Sequence, residues 1–312
     1  MKLFPDSNNK VNIKSFILTT TLYLLFFAGI ILIIMAFCQR KIQAESESII
    51  RGIANGETDT GGNGGIFSDL PPAFVNEPSE EPASPLKYIS SRHKDRTNYS
   101  LDRTVVSAAQ IQNKTWEDPT KREIDFEALH EVNPDIIGWI YLPGTNIDYP
   151  ILSATEDEGA NFYLKRDYNK RSSAHGSIFI QTGRKTDFSV YDTIIYGHNM
   201  KDGSMFQNVY DLLDPESEVS GNNLYIYTPD KVIKGQLAAC YEESNELIHE
   251  KYNRFETEED RAKYIESFSN TTTCYDLYKD ALINEKAKLI TLSTCTNKGD
   301  RRLLAQFLTV HN

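Results

Sequence analysis

Apolar residues run through this chain in two rhythms. Near the N-terminus they are almost unbroken: no charged residue occurs from Ser15 to Cys38, and Phe16–Leu18, Leu22–Phe27 and Ile30–Met35 fill most of the stretch. About 20 apolar residues in a helix rising ~1.5 Å each are enough to cross the hydrocarbon core of a bilayer, so the pattern predicts one membrane helix over 15–38. From about Lys121 the rhythm changes to short β-prone runs with turn signals between them. These are Ile136–Tyr141, Tyr149–Leu152, Gly176–Ile180, Thr193–Tyr196, Asn223–Thr228, Val232–Tyr241, Ala287–Leu292 and Arg302–Val310. Many short strands so spaced predict a mainly β domain, a barrel or a sandwich. Two helices interrupt them. Asp125–Val132 is short, whereas Thr257–Phe268 has a Thr N-cap, acidic residues in its first turn, and Ala262, Ile265 and Phe268 on one face.

Between the two rhythms lies a segment that cannot bury much. Thr60–Gly65 is rich in glycine and Glu77–Pro85 in proline and glutamate, a composition with too little apolar surface to offset chain entropy. The organisation expected is a short tail over 1–14, an anchor over 15–38, a flexible linker over 39–120 and a globular domain over 121–312. A cleaved signal peptide has an apolar core of only about 7–15 residues and a small-residue cleavage site. Here Cys38–Gln39–Arg40–Lys41 follows instead, which favours a retained anchor. Lys2, Lys10 and Lys14 before the helix are balanced by Arg40, Lys41 and Arg51 after it, so charge does not choose an orientation.

A formal net charge of −11 argues against a nucleic-acid partner. Four cysteines in 312 residues are too few for a disulfide framework. Cys240 and Cys274 sit near apolar stretches and read as buried free thiols. Cys295 differs, because Leu289–Cys295 is a strand that delivers the cysteine to its end, with Gly299, Arg301 and Arg302 just beyond. In the same way Val190–Tyr196 ends at Gly197 and releases His198 into a loop with an Asp202–Gly203 turn. A thiol reacts as thiolate, and a neighbouring imidazolium or guanidinium favours ionisation, so a Cys, His and Arg at strand ends point to nucleophilic catalysis. Side chains alternate along a strand, so one of Arg301 and Arg302 faces such a site; Arg302, directly before Leu303–Leu304, is favoured. Ser293 and Thr294 are candidates for shaping the pocket, and Asn199 is a turn residue or an orienting group. His93, His130, His175, His249 and His311 have no comparable setting and read as solvated. No dense His/Asp/Glu cluster calls for a metal, and no cofactor is implied.

Thr291–Leu292–Ser293–Thr294–Cys295 resembles the T-L-x-T-C signature of the sortases, and Tyr196–Met200 followed by Lys201–Phe206 is similar to the histidine loop of class B sortases. The motifs come in the family's order, His, Cys, Arg, and the resemblance runs from about Phe126 to the C-terminus. It implies an eight-stranded sortase barrel held outside the cytoplasmic membrane by a single-pass anchor, with the Thr257–Phe268 helix near a wall of the substrate groove. It further implies a cysteine transpeptidase in which Cys295 forms a thioacyl intermediate, His198 is acid and base, and Arg302 holds the oxyanion. The partners implied are secreted proteins bearing an NPxTx-, SPxTx- or LPxTG-like sorting signal, and an amine of peptidoglycan precursor or of a pilin. A peptidase of the same fold with water as acceptor, and a silent wall-binding module on the same barrel, are the alternatives; the intact Cys–His–Arg set speaks against the latter.

Overall fold

The computed structural model describes residues 13–56, 116–221, 223–244, 255, 257–269, 271, 286–295 and 301–310. Most of the Gly- and Pro-rich stretch, the loop holding Gly299, Cys274, and His93, His249 and His311 lie outside them. Eight strands close into one barrel in the order β1, β2, β3, β4, β7, β8, β6, β5. In chain order they are β1 Ile136–Tyr141, β2 Asp148–Leu152, β3 Ile178–Phe179, β4 Asp192–Tyr196, β5 Leu224–Tyr227, β6 Val232–Ser244, β7 Leu289–Cys295 and β8 Arg301–Val310. The eight-stranded barrel expected from the sequence is thus the fold. All pairs are antiparallel except β2–β3 and β4–β7, and the latter pair is the one that matters for the site. Closure pairs every one of these strands on both sides, and alternation sends one row of side chains inward and the other outward. Ile140, Ile195, Leu237, Ile290, Leu292 and Phe307 belong to one buried cluster. Trp139, Ile194, Tyr196, Leu304 and Leu308 belong to a second, which also takes in residues of the helices.

Three α-helices are described: α1 Ile13–Ala54, α2 Phe126–Val132 and α3 Glu258–Ser269. Helix α2 starts where the Asp125 side chain accepts a hydrogen bond from the Ala128 N–H, at 2.9 Å. Helix α3 starts likewise at Thr257, whose hydroxyl accepts from the Asp260 N–H at 3.1 Å. Its inner face buries Arg261, Tyr264, Ile265 and Phe268.

Helix α1 departs from the sequence expectation. Residues 39–54 continue the helix through what the composition reads as linker, and the last turns are part of the folded domain. Glu47, Ile50, Arg51 and Ala54, spaced as one helical face, are all buried. Two charges on that face are compatible with burial because they meet each other: Arg51 Nη2 lies 3.6 Å from Glu47 Oε2. Just past the helix end, Asn55 Oδ1 accepts from Arg122, which is itself buried and paired with Asp148 at 2.7 Å. The guanidinium of Arg122 lies over the rings of Trp116, Trp139, Tyr141 and Tyr227, a cation packed in aromatic faces. The other end of α1 is different in kind: Leu22 to Phe37 are exposed apolar side chains on a helix long and apolar enough to cross a membrane.

Candidate active site

Strands β4 and β7 run side by side in the same direction, with Tyr196 beside Ser293. His198 and Cys295 each stand two residues past that pair, so the parallel register brings both to the same end of neighbouring strands. On the other side of β7, the antiparallel partner of Cys295 is Arg302. Cys295 and Arg302 are therefore paired across β7 and β8, and His198 lies just past the end of the neighbouring β4, at the same end of the barrel.

The His198 loop is tightly tied. Phe206 N–H donates to His198 O at 2.8 Å, Asn199 and Met205 form an isolated bridge, and Met205 takes a left-handed φ of 56°. Gly197 is required for this closure: a Cβ there would lie 2.5 Å from Ile178 Cδ1 and 2.6 Å from Phe206 Cδ2. The imidazole is anchored through one nitrogen, with His198 Nε2 2.6 Å from the carbonyl oxygen of Leu164. A carbonyl only accepts, so Nε2 carries the hydrogen and Nδ1 is the nitrogen available to exchange a proton. Gly176, with φ of 60°, lets the chain pass against that carbonyl; a Cβ on it would lie 2.4 Å from Leu164 O. The carbonyl anchor has no counterpart in the sequence reading, since a backbone group leaves no mark in residue type.

Of the two arginines, Arg301 turns to β6. Its Nη2 donates to Glu242 O at 2.8 Å and its Nε lies 3.3 Å from the Glu242 carboxylate. The Arg302 guanidinium sits with Cζ 5.7 Å from the centre of the Tyr196 ring, and its Nε is buried with no hydrogen-bond partner among the described residues. A buried donor left unpaired costs roughly 1–3 kcal/mol, so this N–H is poised for an acceptor brought by a ligand. Ser293 and Thr294 are also buried, and neither hydroxyl has a hydrogen-bond partner among the described residues. Asn199 contributes backbone pairing within the loop.

Outside this set, one residue agrees with the sequence reading and one departs from it. Cys240 is buried and free, and burial pushes its thiol up to about 12, which makes it inert beside any activated cysteine. His175, expected to be solvated, is 8% exposed, and its Nε2 lies 2.9 Å from Asp202 Oδ2 in the His198 loop. Nothing adjacent in sequence foretells this, because the partner is brought by folding.

No family model matches the chain. Sortase B of Listeria monocytogenes is 31% identical over 173 residues, 55% of this chain and 67% of that protein. Among solved structures, Clostridium perfringens sortase B matches with a TM-score of 0.53 at 26% identity, over 60% of this chain and 100% of that one. A sortase B complexed with triglycine matches with a TM-score of 0.51 at 25% identity, over 59% of this chain and 85% of that one.

Proposed function

This chain belongs to the sortase B family and is a sortase cysteine transpeptidase, and from that premise we propose that Cys295, His198 and Arg302 carry the reaction. The observation that bears most weight is the register, which sets Cys295 opposite Arg302 and beside the strand whose following loop holds His198. The Cys295 thiolate attacks the carbonyl carbon of a sorting-signal peptide bond, and the oxygen takes the negative charge. Arg302, with an unpaired N–H, stabilises that oxyanion. Collapse breaks the C–N bond, His198 gives its proton to the departing amine, and a thioester to Cys295 remains. An incoming amine attacks the thioester and loses its proton to His198, which restores the thiolate–imidazolium pair. The Leu164 carbonyl supports His198 in both steps, since it accepts from Nε2–H whether the ring is neutral or cationic.

The donor is a secreted protein with an NPxTx-, SPxTx- or LPxTG-like signal, and the acceptor an amine of peptidoglycan or of a pilin. The related sortase B complexed with triglycine supports an N-terminal glycine amine as the first acceptor to try. The exposed apolar end of α1 supports a single-pass membrane anchor with the barrel outside the membrane.

The full chain is incubated in detergent with peptides carrying each signal, with and without triglycine, and the products are weighed by mass spectrometry. A ligated product with wild type and none with Cys295→Ala is the expected result. Cleavage without ligation would assign water as acceptor, and no thioacyl adduct with any peptide would overturn the reading.

A further inference from the structure

The buried end of α1 reaches the His198 loop by two routes. In the first, Arg51 lies over the ring of Tyr149, 5.1 Å from its centre, and donates from Nε to Asp148 O at 2.9 Å. The hydroxyl of Tyr149 in turn accepts from the Met205 N–H at 3.1 Å. Met205 is the left-handed residue whose bridge to Asn199 closes the loop. In the second, the Gln43 side-chain carbonyl accepts from the Ser173 hydroxyl at 3.2 Å, and that hydroxyl accepts from His175 N–H at 3.2 Å. His175 Nε2 meets Asp202, whose other oxygen accepts from the Ser204 hydroxyl at 2.7 Å. A small cavity lined by Gln43, Glu47, Ile50, Tyr149, Tyr168 and Met205 lies in the seam, so apolar packing does not fill the space between helix and loop. The polar contacts cross this seam.

We infer that the segment from Gln43 to Asn55 is a positioning element of the transpeptidase site, which holds the His198 loop through Tyr149 and through the His175–Asp202 pair. The inference rests on the catalytic reading of His198. A loop closed on a residue with positive φ has a competing relaxed form, and each tie from α1 favours the closed one. The helix thus acts on the reaction without touching substrate: it fixes where His198 presents its proton. Small misplacement of such a group costs rate and leaves peptide binding in place.

The test compares wild type, Arg51→Met, Tyr149→Phe and the double variant, all as the full chain in detergent. Two readouts are taken: kcat and KM with the best peptide and triglycine, and the pH profile of Cys295 alkylation by iodoacetamide. The singles are expected to lower kcat about tenfold with KM within about twofold. The midpoint of alkylation should move up toward that of a free cysteine, about 8.5. Because both residues act along one route, the double variant should be no worse than the poorer single. Unchanged kcat and alkylation profile in variants that melt near wild type would overturn the inference, as would losses that multiply. Should Arg51→Met fail to fold, Gln43→Ala with Asp202→Asn gives the same cycle along the second route. A wild type that makes no product counts against the catalytic reading, and the alkylation profiles, which need no substrate, still decide this one.

Discussion

At the scale of single residues, the two neighbouring arginines make the sharpest contrast. Alternation allows one of them to face the site, and the structure separates them: Arg301 is spent on Glu242 of β6, while Arg302 keeps an unpaired N–H beside Tyr196. Arg302→Ala is expected to lower kcat/KM by about 10²–10³-fold, the usual loss for one oxyanion donor, and Arg302→Lys to recover little because a point charge does not reproduce the fork. Arg301→Ala should stay within about twofold, in keeping with a part-exposed pair. Steady-state kinetics on the three variants decide it, and equal losses at both positions would reject the assignment. Gly197→Ala offers a second check. The added methyl has no room between Ile178 and Phe206, so a loss of ~1–3 kcal/mol in chemical denaturation is expected, together with a fall in kcat from the displaced loop. Cys295, His198 and Arg302 could be singled out in the sequence because each lies at the edge of a recognisable run of residue types. The Leu164 carbonyl and the His175–Asp202 pair could not, since one is backbone and the other joins residues from different loops.

At the scale of elements, strands were easier to read than helix ends. Each strand announced itself by β-branched and aromatic residues between turn signals, and all eight are present. The second half of α1 did not, because its buried face includes Glu47 and Arg51 and its interior includes Gly52, all of which look like linker until the charges are seen to pair. Helix α3 is joined to β4, β7 and β8 by a polar knot that also escaped the sequence reading. Tyr264 of α3 donates to Asp192 of β4 at 2.9 Å, Thr291 of β7 donates to the same carboxylate at 2.7 Å, and Gln306 of β8 donates to the Tyr264 hydroxyl. Burial, the largest influence, raises Asp192 from 3.8 to about 6 against these donors. The sign follows from proton counts. Between about pH 4 and 6 the folded chain keeps a proton that the unfolded chain has lost, so this group makes stability fall as pH rises through that window, by ~3 kcal/mol in all. Asp192→Asn removes the slope. Urea denaturation from pH 4 to 7.5 should show the variant gaining on wild type up to about pH 6 and the gap constant above it; parallel curves would mean that burial does not dominate at Asp192.

At the scale of the molecule, one continuous helix runs from the exposed apolar stretch into the folded domain. If residues 15–38 lie in a bilayer, about five residues separate their end from Gln43, the first contact with the barrel side, and that is a rise of only ~7 Å. A helix is stiff over such a length, so the barrel stands close to the membrane in a restricted pose. The flexible tether expected from composition would have let it roam. Holding the barrel near the surface would raise the effective concentration of any donor or acceptor held in the same membrane, by the same logic that makes linked binding sites cooperate. Inserting about twelve Gly/Ser residues between Arg40 and Lys41 breaks the rod before the positioning contacts begin and lets the barrel range over roughly 20 Å. In proteoliposomes, transfer to soluble triglycine should stay within about twofold of wild type, because the site itself is intact. Transfer to a triglycine lipid in the same vesicle should fall several-fold as the local concentration is diluted. A ratio of surface-bound to soluble transfer that does not change on insertion would show that the continuous helix does not set the height of the site.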